Sequence, residues 1–336
     1  MTYKSPFYEL PYWNPAYDLN LEYNGTLEQV LADLSTSGER TDWALQPARV
    51  IRAVVDYKVQ HPDCPKVELL LRDAINFGLA AYSNPSVTNR YAVELREQIK
   101  DKGLEELLSR PLHQPSDHAT SSAMHPARSR YTAEQLVEQV QSKDVLFIAL
   151  AHGGVAAGMD VYLRYCDLSQ SQDSAFYVAR LSTQKYHDTE PKLSSGERKR
   201  LRALAKRRQV VIFDEDTCTG HTISIADTYF SVLFPKQQVI LACNIGTPKT
   251  GQVSSQPKIK VDLYDNYFEG PFIDSDKHNR FCDISNFPKN PLELVKKNFD
   301  KPNNISNINL YETSLAKILI NNPHLKFKVT HKYRLW

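Results

Sequence analysis

Two hydrophobic rhythms divide the chain. Between residues 26 and 109 apolar side chains return every three or four positions: Leu27, Val30, Leu31 and Leu34 form one stripe, and Val50, Ile51, Val54 and Val55 another. This period predicts helices over 26–34, 45–60, 67–82 and 91–109. Pro62, Pro65 and Pro85 punctuate them. From Tyr131 onward the rhythm changes to short continuous apolar runs at 145–150, 175–181, 210–213 and 239–244. Unbroken runs of this length read as strands buried on both faces. Helical stretches separate them. Thr132-x-x-Gln135 and Ser194-x-x-Glu197 have the pattern of capping boxes opening helices to about 142 and 208. A further helix is expected after Thr222, to about 230. Strands alternating with helices imply βαβ units and a largely parallel sheet.

The same pass sets the expected organisation: a helical accessory region over 1–110, a linker over 111–130, an α/β core over 131–250 and an extension over 251–336. Residues 1–25 read as an irregular arm rich in Tyr, Pro and Asn. The linker carries three prolines and His113, His118 and His125, with almost no large apolar side chain. Those histidines fit no helix face and have no thiol and only Asp117 as an acid nearby, so they read as solvated loop rather than metal ligands. The tail should hold helices near 291–299 and 311–320 and a basic strand over 326–336, and Tyr264 to Phe272 could either stack a flat base or cap a core.

Composition narrows the function class. The 336 residues carry 41 Lys+Arg against 39 Asp+Glu, so no global positive field marks the chain as a nucleic-acid binder. The five cysteines lie far apart and form no C-x-x-C pair, which argues against a disulfide framework and for a reducing, cytoplasmic setting. No signal-peptide pattern and no run of about 18 apolar residues is present. One local charge run stands out, Arg198-Lys-Arg-Leu-Arg202 with Lys206-Arg-Arg208. A solvated helix face is its expected role, with contact to nucleic acid as the other possibility.

The chemistry concentrates at 210–222. Val210-Val-Ile-Phe213 is followed directly by Asp214, Glu215 and Asp216, then by Thr217-Cys-Thr-Gly-His-Thr222 and a helix. A Thr/Gly turn at a helix amino end offers backbone N–H groups and hydroxyls to a phosphate. The acids suit the vicinal hydroxyls of a sugar. In parallel sheets such ligands sit beyond the carboxyl ends of strands, where the upstream Ala151-His152-Gly153-Gly154 also falls.

The segment resembles the phosphoribosyl-pyrophosphate signature of type I phosphoribosyltransferases: a hydrophobic strand, two acids, three variable positions and Thr-Gly-x-Thr. The resemblance covers about 131–250. It implies a type I phosphoribosyltransferase-like parallel-sheet core flanked by the helical N-terminal region and the C-terminal extension. It implies that Asp214 and Glu215 hold the ribose hydroxyls, and that Asp216, Thr217, Cys218, Thr219, Gly220, His221 and Thr222 wrap the 5′-phosphate. His152, Gly153 and Gly154 are similar to the family's pyrophosphate loop, Lys185 to a basic residue near the pyrophosphate, and 186–195 to the hood loop over the site. The implied activity is a Mg²⁺-dependent transfer of the phosphoribosyl group to a nucleobase or other nitrogen acceptor, with Mg²⁺ held through the substrate and Asp214 and Glu215 in support. A role in nucleotide metabolism and a homo-oligomeric state go with it.

Three positions depart from the family pattern. Asp216 stands where an apolar residue is usual, Cys218 where some members carry an acid serving as base, and His152 where Lys or Arg is frequent. These departures leave room for a non-catalytic binder of the donor or a nucleotide. Asp214-x-Asp216 after a buried strand also fits a haloacid-dehalogenase-like phosphatase with Asp214 as nucleophile, although Cys218 interrupts that motif.

Overall fold

The structure is a computed structural model that describes residues 3–9, 25–36, 40–62, 64–112, 122–124, 126–183, 185–217 and 220–246. Its centre is a four-stranded, all-parallel sheet of β1 (Val145–Ala151), β2 (Ala175–Arg180), β3 (Gln209–Thr217) and β4 (Val239–Gly246), in the order β2-β1-β3-β4. All seven residues of β1 are buried, as an apolar run with no alternation requires of a strand covered on both faces. The α/β expectation with a parallel sheet holds for the described residues.

The strand order fixes where a ligand can sit. From β1 the chain crosses to β2 on one side, then returns past β1 to β3 on the other. The carboxyl ends of β1 and β3 therefore flank the point where the winding reverses, the usual ligand crevice of an open parallel sheet. The pairing stays in register from Val145↔Gln209 to Ala149↔Phe213 and goes no further. β3 runs on beside β4 through Thr217↔Gly246. The last residues of β1 and β3 thus part, and a notch opens between them.

The crossovers are helical: α7 (Gly154–Ser169) between β1 and β2, α8 (Ser195–Ala205) between β2 and β3, and α9 (His221–Leu233) between β3 and β4. Right-handed crossovers place α7 on one face and α8 and α9 on the other. The capping box at the start of α8 is formed, with the Glu197 amide 3.1 Å from Ser194 Oγ and the Ser194 amide 2.7 Å from Glu197 Oε2. The box expected at Thr132 is not. Helix α6 starts at Pro126 and passes through Thr132 to Gln139. Proline suits a first helical position, where its missing N–H is not needed. The Thr132 hydroxyl is free of capping duty and donates to Asn244 Oδ1 at 2.7 Å, while Asn244 Nδ2 donates to the Ala123 carbonyl at 2.6 Å. This buried knot ties residues 122–132, partly read as linker, onto β4.

The N-terminal helices are α1 (Leu27–Thr36), α2 (Arg40–Gln60), α3 (Pro65–Ser83), α4 (Thr88–Asp101) and α5 (Glu105–Ser109). The single helix expected over 91–109 is broken at 102–104. Thr26 and Gln29 form a reciprocal cap at the start of α1, with the Thr26 amide 2.7 Å from Gln29 Oε1 and the Gln29 amide 3.2 Å from Thr26 Oγ1. One continuous hydrophobic cluster runs from Leu31, Ile51 and Leu71 into Phe147, Val178 and Phe213, and α2 and α3 pack on β2 and α7. A buried polar joint reinforces the contact. Lys58 Nζ lies 2.8 Å from Glu197 Oε1 and 2.8 Å from the Lys192 carbonyl oxygen, and the Tyr177 hydroxyl donates to the same glutamate. No helix among the described residues is long and apolar enough to cross a membrane.

Candidate functional site

The site forms where β1 and β3 diverge. Successive strand residues face opposite ways, so Asp214 and Glu215 leave β3 on different faces although both are buried. The Asp214 carboxylate accepts the Glu215 amide through Oδ1 at 3.1 Å. Glu215 turns into the notch. Its carboxylate occupies the space that a β-carbon at position 153 would take, and it borders Gly154 as well. Its Oε2 is buried and has no hydrogen-bond partner among the described residues. Burial, then the charge of Asp214, hold this carboxyl well above the ordinary carboxylate range, with Arg52 of α2 pulling the other way.

The loop after β1 carries His152 to the other side of the notch, beyond a cis Ala151–His152 peptide. His152 Nε2 lies 2.7 Å from Asp56 Oδ1 of α2, and its Nδ1 lies 3.5 Å from Lys185 Nζ. Burial pushes the imidazole below its usual range against the pull of Asp56, so the ring is neutral near pH 7. The contact with Asp56 then assigns the proton to Nε2, leaving Nδ1 as an acceptor toward Lys185.

Asp56 is the hub of this side. Oδ1 also takes Arg180 Nη1 at 3.0 Å, and Oδ2 accepts the Tyr186 hydroxyl at 3.2 Å. Burial raises the Asp56 pKa, but His152, Arg180 and Tyr186 together outweigh it and leave the carboxyl below its usual value. Burial and then Asp56 push the Tyr186 phenol up to about 12. Arg180 stacks 3.8 Å from the centre of the Tyr186 ring and gives Nε to Asp188 Oδ2 at 3.2 Å. The loop between β2 and α8 is fixed at both ends, by the Lys192 amide on the Arg180 carbonyl at 2.8 Å and by Asp188. Between α2, residues 107–112 and this cluster lies a cleft of about 220 Å³ lined by Ala53, Asp56, Leu107, Arg110, Lys185 and Tyr186.

The third wall is the amino end of α9. Gly220 stands before it as N-cap at φ 71°, a left-handed conformation that a side chain resists, and as a glycine it offers no side-chain cap. Thr222 Oγ1 meets Thr183 Oγ1 at 2.8 Å, linking α9 to the loop after β2. His221 is exposed. Thr217, expected to offer its hydroxyl to phosphate, instead directs it at Cys243 Sγ at 3.6 Å inside the sheet. Asp216 continues β3 opposite Ile245. Cys218, Thr219, the three histidines of the 111–130 stretch, Tyr264 to Phe272 and the whole tail lie outside the described residues.

The structure thus brings His152, Gly153, Gly154, Lys185, Asp214, Glu215, Gly220 and Thr222 to one end of the sheet. Sequence reasoning missed Arg52, Asp56 and Arg180, and reached Tyr186 and Asp188 only as part of the hood loop, with no role for either side chain. A signal for the first two was present: Arg49, Arg52 and Asp56 recur at i, i+3 and i+7 on a helix whose neighbouring positions are largely apolar and buried. Charged side chains placed there have to find partners in the interior. No protein-family model matches the chain, and no curated protein matches it in sequence.

Proposed function

We propose that this notch binds phosphoribosyl pyrophosphate and that the protein is a Mg²⁺-dependent phosphoribosyltransferase-like enzyme acting on a nitrogen acceptor. The observation that carries the reading is the Glu215 carboxylate: buried, unpartnered at Oε2, and placed against a glycine loop at the winding-reversal point of a parallel sheet. A buried polar atom without a partner costs about 1–3 kcal/mol. Vicinal ribose hydroxyls, which both donate and accept, would supply the partner. The amino end of α9 behind its glycine N-cap suits the 5′-phosphate.

In this reading Asp214 and Glu215 orient the ribose, and Lys185 stands on the side where pyrophosphate departs. Displacement at the anomeric carbon passes through an oxocarbenium-like state, as in glycoside hydrolysis. The residues would act mainly by positioning and by charge. Mg²⁺ fits as an ion held largely by donor oxygens and water. Among the described residues no cluster of three or more ligating side chains occurs, so Asp214 and Glu215 would support it beside the substrate. When bound, the ion offsets charge on the leaving pyrophosphate.

One observation favours a non-catalytic sensor of the same ligand as the second reading. Asp56 engages His152 Nε2 and Thr217 faces Cys243, so two groups expected to touch phosphates are turned elsewhere. A pyrophosphate-release assay with Mg²⁺, the ribose donor and a panel of nucleobases separates the two, alongside calorimetry with the donor. Turnover that disappears in Asp214→Asn and Glu215→Gln with the fold intact supports the enzyme. Donor binding without pyrophosphate release supports the sensor. Absence of donor binding overturns both.

A further inference from the structure

The basic run at 198–208 takes a specific form in the structure. Helix α8 buries Leu201, Ala205 and Glu197 inward, and its outward arc carries Arg198, Lys199, Arg200 and Arg202, continued by Lys206 and Arg207 in the turn beyond, all exposed. The sole acid of the helix, Glu197, is buried on Lys58. Arg208 pairs with Asp173, and Arg202 donates Nε to the Leu233 carbonyl at 3.3 Å. Among the described residues no ion pair engages Arg198, Lys199, Arg200, Lys206 or Arg207. These seven basic positions leave 34 Lys+Arg against 39 Asp+Glu elsewhere, so the rest of the chain is acidic and the positive charge is gathered here.

Helix stability does not account for this arrangement. Arg202 in the last turn suits the helix dipole, but Arg198, which shares the first turn with Glu197, and Lys199 and Arg200 just beyond it gain nothing from it. Arg198, Arg202 and Lys206 follow one another at i, i+4 and i+8, where like charges repel. Their Cα positions advance by about 6 Å each along the axis, the scale on which successive phosphates of a nucleic-acid strand follow one another. The helix returns antiparallel to the strands, so the stripe starts at the site end of the sheet and runs down its flank.

We infer that the outward face of α8 is a docking track for the phosphate backbone of nucleic acid, separate from the sugar-phosphate notch. The chemistry selects this partner over an anionic membrane. A helix that settles on lipid inserts an apolar face, whereas the apolar face of α8 is sealed against the sheet and its outward arc offers only Ala203 between cations. Contacts of this kind carry affinity without reading sequence.

The test is fluorescence anisotropy of the full chain with a fluorescein-labelled U20 oligonucleotide between 50 and 200 mM KCl. Four contacts should give a slope of log affinity on log salt of about −3, at roughly −0.7 per phosphate on a single strand. The triple variant Arg198→Gln, Arg202→Gln, Lys206→Gln, whose sites are exposed, should lose at least about tenfold in affinity at 50 mM and flatten the slope by about 2. A control triple on α3 and α4, Arg72→Gln, Arg90→Gln, Lys100→Gln, should bind like the wild type. Asp214→Asn should keep U20 affinity, so failure here is distinct from failure of the donor-binding reading. No binding at 50 mM, equal binding by the α8 triple variant, or co-sedimentation with phosphatidylserine vesicles in place of U20 binding overturns the inference.

Discussion

The carboxylate of Glu215 fills the place where a side chain at position 153 would begin, so Gly153 is the residue that lets the end of β3 reach under the loop after β1. Gly153→Ala therefore sets the new methyl and the buried Glu215 carboxylate in the same volume. The alanine methyl is short and held by the loop, while the glutamate is the end of a side chain, so the glutamate is expected to swing out of the notch. Strand pairing stops at Ala149↔Phe213, before this point, and should survive. The expected outcome is an unchanged far-ultraviolet circular dichroism spectrum together with a loss of at least about tenfold, roughly 1.4 kcal/mol, in calorimetric affinity for the ribose donor. Unaltered donor affinity would show that Glu215 does not touch the sugar.

Glu215 also predicts a stability trade. Its pKa is raised in the folded chain, chiefly by burial and then by Asp214. The folded state thus keeps a proton that the unfolded state gives up near the ordinary carboxylate pKa. Stability falls as pH rises from about 4.5 toward the folded value, because the folded form binds more protons over that window. Glu215→Gln removes the titration and leaves a neutral side chain of similar shape. The ligand-free variant should melt higher than the wild type at pH 7.5, by about 2–4 °C for each kcal/mol relieved, and the gap should narrow toward pH 4.5. Scanning calorimetry at four pH values checks this. A variant that melts lower at pH 7.5 and equally at pH 4.5 would mean the carboxylate is ionised and paired.

How much of this could be read from the chain depends on range. The strand cores were legible because β1 and β3 are unbroken apolar runs. The Asp214–Thr222 turn was legible because acids, glycine and threonines follow a strand within a dozen residues. Asp56 was not: it lies 96 residues before His152, and its partnership depends on α2 packing across the β2 edge. Thr132 misled for a related reason. A capping box requires a non-helical residue before it, and Pro126 had already started the helix, so the hydroxyl was taken by Asn244 from a strand 112 positions away. The reach of Tyr186 to Asp56 is likewise a tertiary event.

Asp56 acts on His152 through one hydrogen bond, and that bond has a spectroscopic signature. It raises the imidazole pKa against burial, which dominates and keeps the value low. Asp56→Asn removes the charge and retains the shape, so burial acts almost alone. The His152 pKa should drop further, and its neutral tautomer should lose its preference for Nε2–H. Carbon-detected titration of the histidine ring signals, with His152→Asn to assign the resonance, reads both. The sign for stability follows. A histidine depressed in the folded state costs stability as pH falls below about 6.5, where the unfolded chain takes up a proton. The loss between pH 6.5 and 5 should be steeper in Asp56→Asn than in the wild type. An unmoved His152 titration would mean that the ring and Asp56 do not share a proton in solution.

The joint between the helical layer and the sheet makes the last prediction. Lys58 and Glu197 are almost fully buried, with side-chain exposures of 3% each, and Glu197 serves at the same time as acceptor for the Ser194 amide and for Tyr177. A buried ion pair adds little when compared with a well-packed apolar pair, because desolvation of two charges opposes their attraction. Breaking it from one side is different, since the remaining charge stays in the interior. Lys58→Met keeps the volume of the stem and leaves Glu197 without its cation, at an expected cost of about 3–5 kcal/mol. Because Glu197 also closes the cap of α8, the loss should spread beyond α2: amides of Ser194, Glu197 and Arg198 should lose hydrogen-exchange protection along with those of α2. Denaturant unfolding gives the magnitude, and exchange mass spectrometry gives the extent. A cost confined to α2, with α8 still protected, would show that the helical layer and the sheet unfold as separate units despite their common core.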